Sequence, residues 1–356
     1  MTTTPTMTSM QRVLTALGQK EPDRVPFFLL VTMHGARELG VSIAEYFAQP
    51  ELVAEGQIRM RARYRHDCLY AFHYAPIEIE AWGGEVIIVD DGPVNSGEPF
   101  IRNPDDIMQL QPPDIRDCPC LQRVLRTTEL LKARVGTDAP IIGVVMSPFS
   151  GPVMQMGFAP YLDVMHERRE LFDRLMQVNG KFCVAWANAQ LEAGATAICY
   201  FDPVSSSTIV PRETYLATGR EVARRTIAQI KGPTATHFAS GRCMPIVADV
   251  VQTGTAMVGV SAEEDLAGLK KACDGRLTVL GNLNGIEMRH WSPERVVGVV
   301  KNAIAAAGTG GGFVLSDNHG EIPWQVPEAV LSGISEAVHE WGRYPLDWLE
   351  RSQADA

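Results

Sequence analysis

Eight short apolar runs, separated by helical segments, recur along the 356 residues of this chain, and that alternation constrains its fold more than any other feature. The runs cover residues 25–33, 68–72, 140–146, 195–201, 233–236, 256–260, 276–280 and 312–316. Each is short enough for a strand buried on both faces, and the stretches between them are long enough to cross back over a sheet. Ser9–Leu17 opens the chain as a helix, and residues 159–192 hold two helices or one long one. Residues 211–231 start with Pro, residues 261–272 open Ser-Ala-Glu-Glu in the form of a capping box, and Ser292-Pro-Glu begins a further helix. This alternation, with no break in composition, predicts one α/β domain with a parallel sheet. Eight units favour closure into a (β/α)8 TIM barrel over an open doubly wound sheet. The barrel is expected over residues 11–349, with flexible ends at 1–10 and 350–356. After the second run, residues 77–82 and 86–89 alternate around Gly83-Gly84, which predicts a small hairpin outside the barrel. The Gly-rich stretch 308–312 precedes a strand rather than opening a helix, so it reads as a helix stop and not as a phosphate cradle.

A hydrophobic share of 46% with 21% charged residues supplies a large core. The net charge of −10 argues against nucleic acid or an anionic membrane as partner, since both need a basic face. No apolar stretch approaches the roughly 20 residues that span a bilayer. The first residues are Thr-rich, with neither the basic nor the apolar region of a signal peptide, so a cytoplasmic protein is expected. Seven cysteines at irregular spacing make a disulfide framework a poor reading. Cys118-Pro-Cys120 lacks a second pair to complete a zinc knuckle, and Cys68, Cys183 and Cys199 lie in apolar runs as core thiols.

In a parallel barrel the carboxyl ends of the strands share one mouth, where the chemistry sits. Four of the eight histidines stand at or near such ends: His34, His73, His237 and His319. His237 opens the segment His-Phe-Ala-Ser-Gly-Arg-Cys243, which sets an imidazole and a thiol on either side of a glycine turn, and both are ligands that zinc prefers. The loop after the last run, Ser316-Asp-Asn-His319-Gly-Glu321, supplies further donors. His237, His319 and either Cys243 or Glu321 would leave open the fourth position that catalytic zinc needs. His34 and His73 are candidates to hold substrate or carry protons, for which an imidazole pKa of about 6.5 is suited. Asp202 ends the fourth run and is placed to orient a histidine or a substrate hydroxyl, or simply to cap the turn before Pro203. Glu78 and Glu80 share a face of the expected hairpin, where glutamates are ordinarily solvated. His66, His166, His290 and His339 fall within helices or at their ends and carry no special signal.

Five segments carry a family likeness: MQRVLTALGQKEPDRVPFF, IEIEAWGGEV, GATAICYFDPVSSSTIVPRETY, VLGNLNGIEMRHWSPERV and FVLSDNHGEIPWQVPEAV. Together they resemble the uroporphyrinogen decarboxylase superfamily over nearly the whole chain, and within it the cobalamin-dependent methyltransferase branch of the methylcobalamin:coenzyme M type. The resemblance implies the (β/α)8 fold. The decarboxylases carry an arginine-rich segment after strand one to grip a substrate with many carboxylates. Here the corresponding His34-Gly-Ala-Arg37-Glu-Leu holds a single arginine, and His73-Tyr74 stands where the decarboxylases place an aspartate. The methyltransferase branch carries a His-x-Cys zinc pair after strand five and a further Cys after strand eight. This chain keeps His237, has Ala239 in place of the first Cys and Cys243 shortly after, and offers His319-Gly-Glu321 in the last loop. The resemblance therefore implies zinc held by a ligand set richer in nitrogen and oxygen.

The function so implied is methyl transfer between a small methylated substrate (a methyl ether, a methoxyaromatic or a thiol) and cobalamin, with zinc as electrophile. No Asp-x-His-x-x-Gly segment for a corrinoid occurs, so cobalamin is expected on a separate corrinoid protein or as free cofactor. A monomer or homodimer is expected, with no nucleic-acid or membrane partner. Two alternatives stand beside it: a metal-free decarboxylase or lyase using His73, Tyr74 and Asp202, and a non-catalytic barrel that binds a tetrapyrrole or another small ligand.

Overall fold

The structure, a computed structural model, describes residues 6–350 apart from Asp274 and His319. In chain order its strands are β1 (Leu69–Tyr70), β2 (Val86–Ile87), β3 (Asn95–Ser96), β4 (Ile141–Met146), β5 (Ala197–Phe201), β6 (Thr234–His237), β7 (Met257–Gly259), β8 (Thr278–Leu283) and β9 (Phe313–Asp317). β1 and the strands from β4 to β9 form one seven-stranded sheet in that order, parallel throughout and wrapped by helices. Both edges of this sheet reach the same extended segment. The amide of Phe28 donates to the Leu315 carbonyl at 2.8 Å, Leu315 donates to Pro26 at 2.9 Å, and Asp67 donates to Phe27 at 2.9 Å. The result is a TIM-like barrel of seven strands in which residues 26–30 bridge the remaining gap.

That bridging segment corrects the expectation of a full first strand over 25–33. Only Phe27 forms a bridge, to Leu315. Pro26 has no amide to donate, the Phe27 amide is taken by the Asp67 carboxylate at 3.0 Å, and by His34 the chain has turned into the helix His34–Leu39. The expected hairpin is also redrawn. Ile77–Ala81 is a short helix, and the antiparallel pair outside the barrel joins β2 to β3 instead. The alternation Ile-Glu-Ile-Glu suits a strand, but Glu78 turns inward to accept from the Met146 amide at 2.8 Å, and that tertiary contact overrides the local pattern.

Helix starts follow their caps. Thr8 and Gln11 form a capping box for Ser9–Leu17, and Ser292 caps Pro293–Ala307. Residues 159–192 divide into Phe158–Glu167 and Arg169–Glu192, and residues 211–231 into Arg212–Ala217 and Gly219–Ile227. The helix expected from Ser261 starts only at Leu266, because the Ser261 hydroxyl is spent on a turn, accepting from Glu263 at 3.1 Å and donating to the Ser240 carbonyl at 2.9 Å. After Ala307 the glycine stretch ends a helix as expected, and Gly311 (φ +72°) packs so tightly on Lys20 that a Cβ there would lie 2.3 Å from its carbonyl oxygen. Among the described residues no helix is long and apolar enough to cross a membrane.

Beneath the barrel, Ser9–Leu17 plugs the amino-terminal ends of the strands. It is fastened by Asp67, which accepts from Ser9 (2.9 Å), Arg12 (2.7 Å), Arg24 (2.7 and 3.0 Å) and the Phe27 amide (3.0 Å). This leaves the carboxyl ends of the strands as the open end of the fold.

Candidate active site at the barrel mouth

The site grows out of the period-2 alternation of the strands. On β5, Ile198 and Tyr200 point outward against the helices and are fully buried, whereas Ala197, Cys199 and Phe201 point into the barrel and remain half-buried. Inward-facing residues of β4 (Ile142, Val144, Met146) and β6 (Ala235, His237) follow the same phase. They enclose a cavity of about 260 Å³ that is apolar along most of its wall. Its carboxyl and imidazole groups gather at the mouth: Glu78, His237, Asp317 and Glu321, beside Ser316. No lysine or arginine lines it among the described residues.

With no lysine or arginine in the described lining, burial raises the pKa of the mouth carboxyls. Burial pushes Glu78 up to about 8, against the opposing hydrogen bond from the Met146 amide. Burial likewise raises Asp317 to about 7, although the Leu30 amide donates to it at 3.1 Å. Glu321 also rises to about 7 through burial, although the Thr32 hydroxyl donates to it.

His237 is the one expected site histidine that the described structure places on the cavity wall. Its imidazole stacks on Phe201 with ring centroids 5.6 Å apart and lies against the backbone of Gly259, its neighbour across β7. A Cβ at position 259 would stand 2.4 Å from the imidazole Cδ2, so only glycine leaves room for the ring. Ala239, in the left-handed region at φ +52°, donates its amide to His237 Nδ1 at 2.9 Å. The neutral ring therefore carries its proton on Nε2.

The other expected site residues lie elsewhere. His73 follows the inward-facing Phe72 and so turns outward, stacking on Phe47 and meeting the Thr127 hydroxyl at 3.0 Å. Tyr74 donates to Glu80 in a clamp that Arg123 completes. His34 is buried at the start of its helix beside Trp324. Burial, reinforced by a nearby arginine, pulls both histidines down to about 3, which favours the uncharged ring near neutrality. Asp202 follows the inward-facing Phe201 and accepts from Ser147 (2.5 Å) and Ser150 (2.7 Å), tying two strand-end loops together. Cys243 is fully buried in the core between barrel and helices, not on the cavity wall. Glu321 reaches the mouth as expected, and His319 lies outside the described residues.

The described donors do not fit the expected zinc set. His237 has its Nδ1 lone pair occupied by an amide and its proton on Nε2, whereas a zinc-bound imidazole offers one nitrogen bare and donates from the other. Ala239 brings no ligand, and Cys243 is turned away. No group of three or more His, Cys, Asp or Glu positioned for a metal occurs among the described residues. Reading the sequence passed over Glu78, set aside as a solvated hairpin residue, and Asp317, overshadowed by its neighbour His319. The available signal for Asp317 was its place directly after the apolar run 312–316.

A TIM-like barrel whose carboxyl and imidazole groups gather at the carboxyl-end mouth is the architecture of a barrel enzyme. The model of the uroporphyrinogen decarboxylase (URO-D) family matches residues 8–341, and the chain belongs to that family. It is 27% identical over 285 residues to the methylcobamide:CoM methyltransferase MtaA of Methanosarcina barkeri, spanning 77% of this chain and 81% of that protein. It is 28% identical over 319 residues to the uroporphyrinogen decarboxylase of Methylococcus capsulatus, spanning 86% and 88%. A solved methyltransferase from Methanosarcina mazei shares the fold, with a TM-score of 0.79 over 94% of this chain and 99% of that one at 19% identity. The relatives are enzymes of two kinds, methyltransferases and decarboxylases.

Proposed function

We propose that this chain is the methyltransferase kind, moving a methyl group between a small uncharged substrate of the methyl-ether class and a corrinoid carried by a partner protein. The observation that carries this reading is the absence of any cation from the described cavity lining, together with the buried Glu78 in its wall, whose pKa burial raises to about 8. A polycarboxylate would enter with several charges and find no guanidinium to pair them, a burial costing several kcal/mol per ion. An uncharged ether meets apolar wall and neutral acids. The His73, Tyr74 and Asp202 set of the metal-free decarboxylase alternative does not reach the cavity.

The corrinoid supplies the centre that takes up or gives the methyl group. At about 260 Å³ the cavity is smaller than the roughly 300–1,000 Å³ pockets that enclose drug-sized ligands, so a corrin ring meets the substrate from outside the mouth. The surface, at net charge −10, suits the choice of such a partner by charge. Glu78, with Oε1 anchored on the Met146 amide, is positioned to give its proton to the ether oxygen as the carbon–oxygen bond breaks, leaving an alcohol or phenol and a carboxylate that water reprotonates. The Phe201 ring and the Gly259 backbone fix the His237 imidazole at the same mouth, where it orients the oxygen. No step is assigned to zinc, because the described donors do not build its site.

The test is anaerobic incubation with methoxybenzene and reduced free corrinoid, following corrinoid absorption and phenol release. Equal corrinoid consumption and phenol formation is expected, falling about 100-fold or more in Glu78→Gln. Carbon dioxide release from a porphyrinogen carboxylate without corrinoid would assign the chain to the decarboxylases instead.

A further inference from the structure

The cavity does not stop at the mouth. Its lining continues inward past Ile142, Ala197 and Ala235 to Pro140, Thr196, Pro233 and Ala256 at the amino-terminal starts of β4 to β7, and ends on Met10, Val13, Leu14 and Leu17 of the plugging helix. The open space therefore runs the length of the barrel. TIM barrels ordinarily fill this volume with layers of bulky branched side chains. Here the inward positions of β5 and β6 carry Ala197, Cys199 and Ala235, and the space those residues leave unfilled is the bore. Exposure reports the same thing independently. The outward Ile198 and Tyr200 are 0% exposed, while their inward neighbours stay accessible, the reverse of a filled barrel.

We propose that this bore is a binding channel for an uncharged, elongated apolar group, so that the substrate is an aryl ether bearing an alkyl or aryl tail that runs from the mouth down to Ser9–Leu17. The methyl-ether end rests on the reading given under Proposed function; the tail channel rests on the bore alone. Its chemistry selects the occupant. Past the mouth the lining residues are apolar apart from Cys199, Tyr70, Thr196 and Thr234, and none carries a charge. A cavity of about 150 Å³ suffices for benzene, so about 260 Å³ takes a ring with a chain of several carbons. The floor is held from below by the Asp67 cluster, which fixes Ser9–Leu17 against the strand ends and gives the channel a definite depth.

Calorimetric titration with methoxybenzene and its para-propyl and para-hexyl derivatives reads the channel without turnover. Affinity is expected to rise about threefold to fourfold per added methylene until the bore is full, and para-hexylbenzoate, whose carboxylate has no cation to meet, should bind at least tenfold more weakly than the hexyl ether. Ala235→Leu and Cys199→Leu should cost the hexyl ether about tenfold or more, a larger loss than methoxybenzene suffers. Affinity that does not change with chain length in the unaltered protein would overturn the proposal, whether or not the variants fold. So would undiminished hexyl binding in a folded Ala235→Leu protein. Length-dependent binding without methyl transfer from any ether would support the channel and remove the proposed reaction; transfer from methoxybenzene with flat length dependence would do the opposite.

Discussion

Asp67 at one end of the barrel and Glu78 at the other are both carboxyls withdrawn from water, and their pKa values move in opposite directions. Burial alone would raise Asp67, but Arg24 and Arg12 beside it, with the Phe27 amide, hold it below the usual carboxylate range. Glu78 accepts from the Met146 backbone amide, with no guanidinium beside it among the described residues, and burial prevails, lifting it to about 8. Asp317 and Glu321 behave like Glu78. Residue type and depth are alike at the two ends; the difference is whether a guanidinium stands within reach. The paired end is a fastening that joins Ser9–Leu17, residues 24–27 and the start of β1. The unpaired end keeps protons available at neutral pH, which a fastening does not need and an acid catalyst does.

The largest effect should come from cutting the fastening. Asp67→Ala strands two buried guanidiniums and is expected to cost about 3–5 kcal/mol in denaturant unfolding, enough to leave little folded protein at 37 °C. Glu78→Gln should behave in the opposite way: unchanged or raised melting temperature at pH 8, with methyl transfer reduced about 10²–10⁴-fold. Equal destabilisation by the two substitutions would break the contrast between the ends.

The same contrast sets a pH profile. The folded pKa of Glu78, about 8, lies above its ordinary 4.5, so its contribution to stability is fully present below about 4.5 and is lost as pH rises through 8. Asp67, lowered in the fold, contributes above its ordinary 3.8 and is lost as pH falls below it. Thermal melting should therefore be highest at mildly acidic pH and decline on both sides. The alkaline decline should be on the order of a few kcal/mol and should become shallower in Glu78→Gln, the remainder coming from Asp317 and Glu321, while the acid decline should persist there. An alkaline decline unaltered by Glu78→Gln would show that the proton sits elsewhere.

Much of this was legible in the sequence, and what was not has a definite cause. The apolar runs at 140–146, 195–201, 233–236, 256–260 and 312–316 overlap β4, β5, β6, β7 and β9 because short buried parallel strands are nearly continuous in hydrophobicity. Run 25–33 failed as a strand because Pro26 and the Asp67 side chain consume its ladder. At the site the difficulty was one of phase. Strand side chains alternate, so a displacement of one residue reverses the face. Phe72 lines the cavity and His73 does not; Phe201 lines it and Asp202 does not. A polar residue following a strand announces the mouth without saying which way it points. His237 was legible because it shares the inward phase of Ala235. Glu78 was not, because its burial comes from the Met146 amide, which lies 68 positions away in the chain.

The smallest expected effect is an absence, and it tests the mouth most sharply. The Ala239 amide donates to His237 Nδ1, which fixes the Nε2–H tautomer, and the left-handed backbone at Ala239 aims that amide. For Nε2 to bind zinc, the proton would have to move to Nδ1, where it would face the Ala239 N–H donor to donor, and the hydrogen bond would be lost. Protein purified without chelator should accordingly carry well under one zinc per chain, and nitrogen-15 spectra of the imidazole should show the proton on Nε2. One equivalent of zinc, released by His237→Ala, would mean that the loop around Ala239 rearranges to free the ring. The mouth would then hold a dication beside Glu321, whose carboxyl would fall to ordinary acidity. The contrast between the two ends would in that case narrow to Glu78 alone.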